Sequence, residues 1–193
     1  MVAVPIAGMT YFRTDYPYNV NFPIEQPIAF SHKHHVQGLG LDCRFCHFSV
    51  ERTASAGMPD SKTCITCHSQ IWKNSKMLEP VRLSYENKIP MKWVHVNRLP
   101  DYVYFNHSIH ISKGVGCSTC HGDVRGMAAV KRVNAFRMKD CLACHRSPEK
   151  NLRPRDQIFD YQWSKASTEI QHNLALQYHI VHQQLTDCNH CHR

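Results

Sequence analysis

Five copies of one short pattern constrain this chain more than any other feature. They are Cys43-Arg44-Phe45-Cys46-His47, Cys64-Ile65-Thr66-Cys67-His68, Cys117-Ser118-Thr119-Cys120-His121, Cys141-Leu142-Ala143-Cys144-His145 and Cys188-Asn189-His190-Cys191-His192. Together they use all 10 cysteines. C-x-x-C-H is the attachment signature of c-type haem: two thiols become thioethers to one porphyrin, and the following imidazole takes one face of its iron. A disulfide framework also has an even number of cysteines, but it leaves the recurring histidine without a reason. Zinc knuckles pair two C-x-x-C per metal, and five knuckles leave one over. The motifs therefore predict five covalent haems, with His47, His68, His121, His145 and His192 as the first iron ligands.

Five macrocycles must share the interior of 193 residues, so haem rather than a continuous side-chain core is expected to be the main thing buried. The expected fold is mainly α and irregular, with a haem-dominated core. The formal charge is +8 with His neutral. Propionates and iron shift the total by roughly −5 when oxidised and −10 when reduced, which makes the basicity largely counter-charge for haem. The Lys and Arg are scattered and no recognition motif accompanies them, so nucleic acid is not expected as a partner.

Haem thioethers form outside the cytoplasm, so the expected location is the periplasm or the extracytoplasmic face of a bacterial plasma membrane. Residues Met1 to Phe12 are uncharged up to Arg13, shorter than the roughly 20 residues that cross a bilayer. Two readings follow: a terminus packed on a partner, or the outer part of a membrane anchor. The second is preferred, because Tyr11, Phe12, Tyr16 and Tyr18 look like interfacial aromatics.

An internal duplication organises the remainder. Phe30-Ser31-His32-Lys33-His34-His35, then Gly38-Leu39-Gly40 and a motif, is echoed by Phe105-Asn106-His107-Ser108-Ile109-His110, then Gly114-Val115-Gly116 and a motif. Each is followed by a second C-x-x-C-H, giving a two-haem module used twice. The division is an N-terminal extended segment over 1–29, modules over 30–70 and 105–150, a linker over 71–104, and a C-terminal helix with the fifth haem over 151–193. A low-spin iron needs a ligand opposite its motif histidine, and two histidines three apart can serve neighbouring haems. His32, His35, His107 and His110 are the distal candidates, whereas His34 fits no position of the repeat. In the linker, Trp93-Val94-His95-Val96 alternates as a short strand. From Ser167 to Thr186 an apolar stripe of Ile170, Leu174, Tyr178, Val181 and Leu185 predicts a helix. His95, His172, His179 and His182 remain candidates for the fifth distal position.

The F-x-H-x-x-H element resembles that of the tetrahaem cytochrome c3 and its trihaem relatives. Carried over, that resemblance places His32 on the haem of His47 and His107 on the haem of His121. The run Pro27-Ile28-Ala29-Phe30-Ser31-His32-Lys33-His34-His35, with Ser69-Gln70-Ile71-Trp72, Met77-Leu78-Glu79-Pro80-Val81-Arg82 and Cys144-His145-Arg146-Ser147-Pro148-Glu149-Lys150, is similar to the pentahaem cytochrome c subunit of bacterial alternative complex III. The resemblance implies electron transfer from quinol oxidation towards a monohaem cytochrome c or an oxidase, with no bond-making site on this chain. It implies an iron-sulfur, molybdopterin-like subunit and integral membrane quinol-binding subunits as partners, with membrane contact through the N-terminus. It also implies Met138 as the fifth distal ligand. Two other classes stay open: a free c3-type periplasmic shuttle and a multihaem nitrite or hydroxylamine reductase. All five motifs end in His, and ten more histidines lie outside those positions, which weighs against the open iron a reductase needs.

Overall fold

A computed structural model describes residues 3–163 and 166–192; Met1 and Val2 of the apolar N-terminal run lie outside them. The chain runs through short helices joined by irregular segments: α1 (Ala3–Arg13), α2 (Cys43–Cys46), α3 (Ser61–His68), α4 (Glu79–Asn87), α5 (His107–Ser112), α6 (Cys117–His121), α7 (Met138–Arg146), α8 (Thr168–Gln177) and α9 (Cys188–Cys191). A π-helical turn covers Lys33–Gly38. Among the described residues there is no β-strand, only isolated bridges such as Val115 with Leu152 and Val103 with His192.

The short helices follow from what they carry, since a C-x-x-C-H motif needs only one turn to place both cysteines on one side. Local caps start those turns. The Asp42 carboxylate accepts from Arg44 N–H and the Asp60 carboxylate from Thr63 N–H, both at 2.8 Å. In α7, Asp140 accepts from Arg137 N–H at 2.8 Å.

Apolar burial is divided into three small clusters. Ile28, Leu78 and Val81 pack with Phe30, Ile65 and Trp93. Val50, Ile111 and Ile158 pack with Cys117 and Phe159. Leu152, Leu174, Ala175 and Tyr178 pack with Val115 and Ile180. Val81, in the stretch read as a linker, is the one large side chain among the described residues with no exposed surface. Much apolar surface stays on the outside instead, including Phe48, Ile71, Trp72 and Met77.

Three local expectations are corrected. The N-terminal segment is not extended throughout: residues 3–13 form α1, whose Val4, Ile6, Met9 and Phe12 are all exposed. Among the described residues no helix is long and apolar enough to cross a membrane. The C-terminal helix ends at Gln177, not Thr186, because His179 takes a left-handed conformation (φ 50°). His179 N–H then bonds the Leu176 carbonyl and Ile180 N–H the Ala175 carbonyl, a Schellman stop that turns Ile180 back onto the core. The buried face of α8 is Gln171, Leu174 and Ala175, while Ile170 and Val181 lie outside. Trp93–Val96 is not a strand. The Gln26 side-chain amide takes the place of a partner strand, accepting from Val94 N–H at 3.0 Å and donating to the Val94 carbonyl at 2.9 Å.

Candidate haem centres

Every C-x-x-C-H motif stands on a helical turn, and all ten cysteines are free thiols. Burial pushes up the thiols of Cys43, Cys46, Cys141 and Cys144, and takes Cys117 to about 12 and Cys64 and Cys120 to about 11.

The histidines show what the sites are built for. A metal-ligating imidazole usually donates its second ring N–H to a fixed acceptor, which selects the tautomer and leaves the other nitrogen's lone pair for the metal. His47 Nδ1 lies 2.7 Å from the Gly57 carbonyl, His68 Nδ1 2.9 Å from Ile71, His145 Nδ1 2.7 Å from Leu185 and His192 Nδ1 3.2 Å from Tyr102. The distal candidates repeat the arrangement. His35 is held by the Ser31 carbonyl at 2.9 Å, His107 by Ala54 at 2.8 Å and His110 by Asn106 at 2.7 Å. His32 differs, its Nδ1 being buried without a partner.

These rings also pair with one another. His107 and His121 have centroids 6.4 Å apart and planes 8° from parallel. His110 and His145 are 6.2 Å apart with planes at 27°, and His35 and His68 are 6.2 Å apart with planes at 65°. Two metal–nitrogen bonds of about 2 Å and two ring radii of about 1.1 Å span roughly 6.2 Å, so each pair leaves room for one iron between its rings. Burial lowers His32 to about 4, with His47 the next cause, and lowers His121 to about 4, with His107 and then His47 behind it. Neutral imidazole is the form that ligates iron. The residues therefore fit covalent haem, with four motif histidines each having one distal histidine near it.

Phenylalanine orients the distal pairs in the same way in both copies. Phe30 stacks on His35 at 4.4 Å and 25° and meets His32 edge-on at 5.0 Å. Phe105 stacks on His110 at 4.4 Å and 25° and meets His107 edge-on at 4.8 Å. The glycines match in a different register from the repeated G-x-G. Gly40 (φ 70°) and Gly114 (φ 82°) are the equivalent left-handed positions, each three residues before the first motif cysteine. The first copy has one more residue between its second histidine and that glycine. The π-helical turn of Lys33–Gly38 absorbs it.

The fifth motif is arranged differently. Among the described residues no second imidazole faces His192; Tyr102 stacks on it at 5.8 Å and 26°. Met138 is 62% exposed at the start of α7, one turn before Cys141, whose thiol is within electrostatic reach of Cys191. His34 stacks on Trp72 at 6.0 Å, and His182 lies 3.8 Å from the Glu149 carboxylate. Neither they nor His95, His172 and His179 are brought opposite a motif histidine. Sequence reasoning missed Asn97, whose amide lies 3.0 Å from His121 Nδ1. A single asparagine 24 residues away carries no local pattern. The two phenylalanines were visible in the repeat, though not their role.

Two family models match the chain. Cytochrome c3 covers residues 109–193, and the class III cytochrome C family covers residues 11–89. The chain is also 36% identical over 102 residues to the multihaem cytochrome c subunit of menaquinone reductase from Nitratidesulfovibrio vulgaris (strain Hildenborough), an alignment covering 50% of this chain and 46% of that one. It thus spans about half the length of that relative. Cysteine pairs on single helical turns, imidazoles tied at Nδ1 and matches to two c3-type families, each over somewhat less than half of the chain, support a c3-like multihaem cytochrome with covalently bound c-type haem.

Proposed function

We propose that the chain is a pentahaem electron-transfer subunit of a membrane quinol oxidoreductase of the alternative complex III type, passing electrons from quinol towards a monohaem cytochrome c or an oxidase. The observation that carries the electron-transfer reading is the pairing of imidazole rings at iron-spanning centroid separations, each ring anchored through Nδ1. When bound, haem supplies reversible one-electron chemistry at each site. The chain's own contribution is to hold the paired imidazoles that would ligate each iron, so that little need move as its charge changes. On this reading His32, His35, His107 and His110 close the sites of His47, His68, His121 and His145. Met138 is the fifth distal ligand, reaching the site of His192 from the face of α7 next to Cys191. The duplicated two-haem module is the unit of construction.

The attachment sites form one row. Cys64 lies within electrostatic reach of Cys46, Cys117 of Cys43, Cys120 of Cys144 and Cys141, and Cys141 of Cys191. Hydrogen bonds join two of the same pairs of neighbours, with His107 and Ser108 N–H donating to the Ala54 and Thr53 carbonyls beyond the first motif and the His145 ring to the Leu185 carbonyl just before the fifth. The relay order is therefore second, first, third, fourth, fifth. Near the fourth site, the base of α1 is tied to α7 through Arg137, which donates to the Arg13 carbonyl at 2.7 Å and pairs with Asp15. On this reading the exposed apolar face of α1 is the surface that meets a membrane or an integral subunit beside the fourth site, on the extracytoplasmic side. An iron-sulfur, molybdopterin-like subunit is the proposed soluble partner. Purification of the native complex tests this: co-purification with quinol-binding membrane subunits and quinol-dependent reduction of all haems support it, and a free, soluble cytochrome overturns it.

The relative's name favours a second reading, in which electrons run through the chain into menaquinone. Initial rates in the two directions with the purified complex separate the readings.

A further inference from the structure

The five motif histidines are not held alike. Four donate from Nδ1 to main-chain carbonyls, whereas His121 meets a side chain, the amide of Asn97. The two ends of that amide have opposite consequences. With Nδ2 towards the ring, Asn97 donates to Nδ1, the ring proton moves to Nε2, and no lone pair faces His107. With Oδ1 towards the ring, Nδ1 donates and Nε2 is free in the 6.4 Å space between the parallel rings. Oδ1 is the amide atom left buried without a partner when Nδ2 faces the ring. Half a turn of the amide gives that oxygen the ring N–H, and the hydrogen-bond network decides which amide end faces the ring.

We propose that Asn97, outside every recognised motif, is a positioning residue that sets the reduction potential at the third attachment site through its hydrogen bond to His121. The stronger the acceptor at Nδ1, the more basic the imidazole and the more it favours ferric iron. Main-chain carbonyls offer one fixed acceptor strength. A side chain can be replaced by a stronger acceptor or by none, so the third site is tunable by one substitution where the other four are not. Its neighbours in the row are the first and fourth sites, which makes it the middle of the relay and the position where a change in potential gates flow both ways. This inference rests on the reading of His107 and His121 as one axial pair.

The test uses the haem-loaded protein. His107→Ala marks the third site by converting its low-spin signal to high-spin in electron paramagnetic resonance. The midpoint of that signal is then titrated in otherwise wild-type protein and in Asn97→Asp and Asn97→Leu. Asn97→Asp is expected to lower its reduction equilibrium constant about tenfold and Asn97→Leu to raise it by a similar factor, about 59 mV each for one electron. The other four signals should move much less. The isosteric Asp variant guards against a folding defect in the Leu variant, and opposite signs separate a tuned acceptor from general disruption. A marked signal that stays put in both variants, or a shift that falls on another haem, overturns the proposal. No high-spin conversion in His107→Ala sinks the axial-pair reading itself, and the proposal with it.

Discussion

Alanine at Gly114 is expected to destabilise the haem-loaded protein much more than alanine at Gly40, although the two occupy equivalent places. Both carry a positive φ, 82° and 70°, and a side chain in that region costs about 1–2 kcal/mol. The surroundings decide the difference. A Cβ at Gly40 would meet nothing within 4 Å, whereas at Gly114 it would lie 2.4 Å from Tyr178 Cε2 and 2.7 Å from the Arg153 carbonyl oxygen. Neither neighbour is free to retreat. The Tyr178 hydroxyl donates to that same carbonyl at 2.9 Å, its ring packs in the buried cluster, and Arg153 N–H donates back to the Gly114 carbonyl at 2.8 Å. Overpacking of this kind adds about 1–3 kcal/mol, for a total of roughly 2–5 kcal/mol at Gly114. At about 2–4 °C per kcal/mol for a chain of this size, Gly40→Ala should lower Tm by roughly 2–8 °C and Gly114→Ala by roughly 4–20 °C. Thermal melts followed by far-ultraviolet circular dichroism measure both. Variants that melt together, or a larger loss at Gly40, would refute the reasoning.

Intact-mass measurement should show five haem additions, and the haem-free chain should lack a cooperative melt, because its apolar burial is confined to three small clusters. His32→Ala, His35→Ala, His107→Ala and His110→Ala should each make one iron high-spin and able to bind carbon monoxide, while His34→Ala leaves the spectra unchanged. Unaltered absorption in His110→Ala would count against the axial pairs. Near-infrared magnetic circular dichroism should show one His/Met band in five that disappears in Met138→Leu; five bis-imidazole signatures would exclude Met138.

Covalent attachment makes its own chemistry legible, since two thioethers and an imidazole must lie within five consecutive residues. The F-x-H-x-x-H repeat is equally local, and its four histidines lie near the motif histidines of the two modules. What escaped the sequence depends on contacts between distant residues or on conformations without a marker. The stop of α8 rests on His179 in a left-handed conformation, a place where glycine or asparagine is the usual signal. The G-x-G repeat matched by letters pairs Gly38 with Gly114, but backbone conformation pairs Gly40 with Gly114, because one added residue is taken up in a π-helical turn. Gln26 closes on Val94 across 68 positions, and Asn97 meets His121 across 24. No spacing rule covers either.

Seven of the imidazoles are held by main-chain carbonyls, those of Ser31, Ala54, Gly57, Ile71, Tyr102, Asn106 and Leu185. Every residue type possesses that group, so variation in side-chain identity leaves ring orientation untouched while the backbone path is kept, except at Gly57, whose φ of 80° and whose closeness to Ser49 Oγ, 2.7 Å from where a Cβ would lie, call for glycine. The damaging change is of another class. Inserting or deleting one residue between the first motif and Gly57, or between the second motif and Ile71, displaces the acceptor by a full peptide unit. Loop length rather than loop composition is therefore what selection must hold constant around these centres, and divergent relatives should differ freely in letters there while keeping the count.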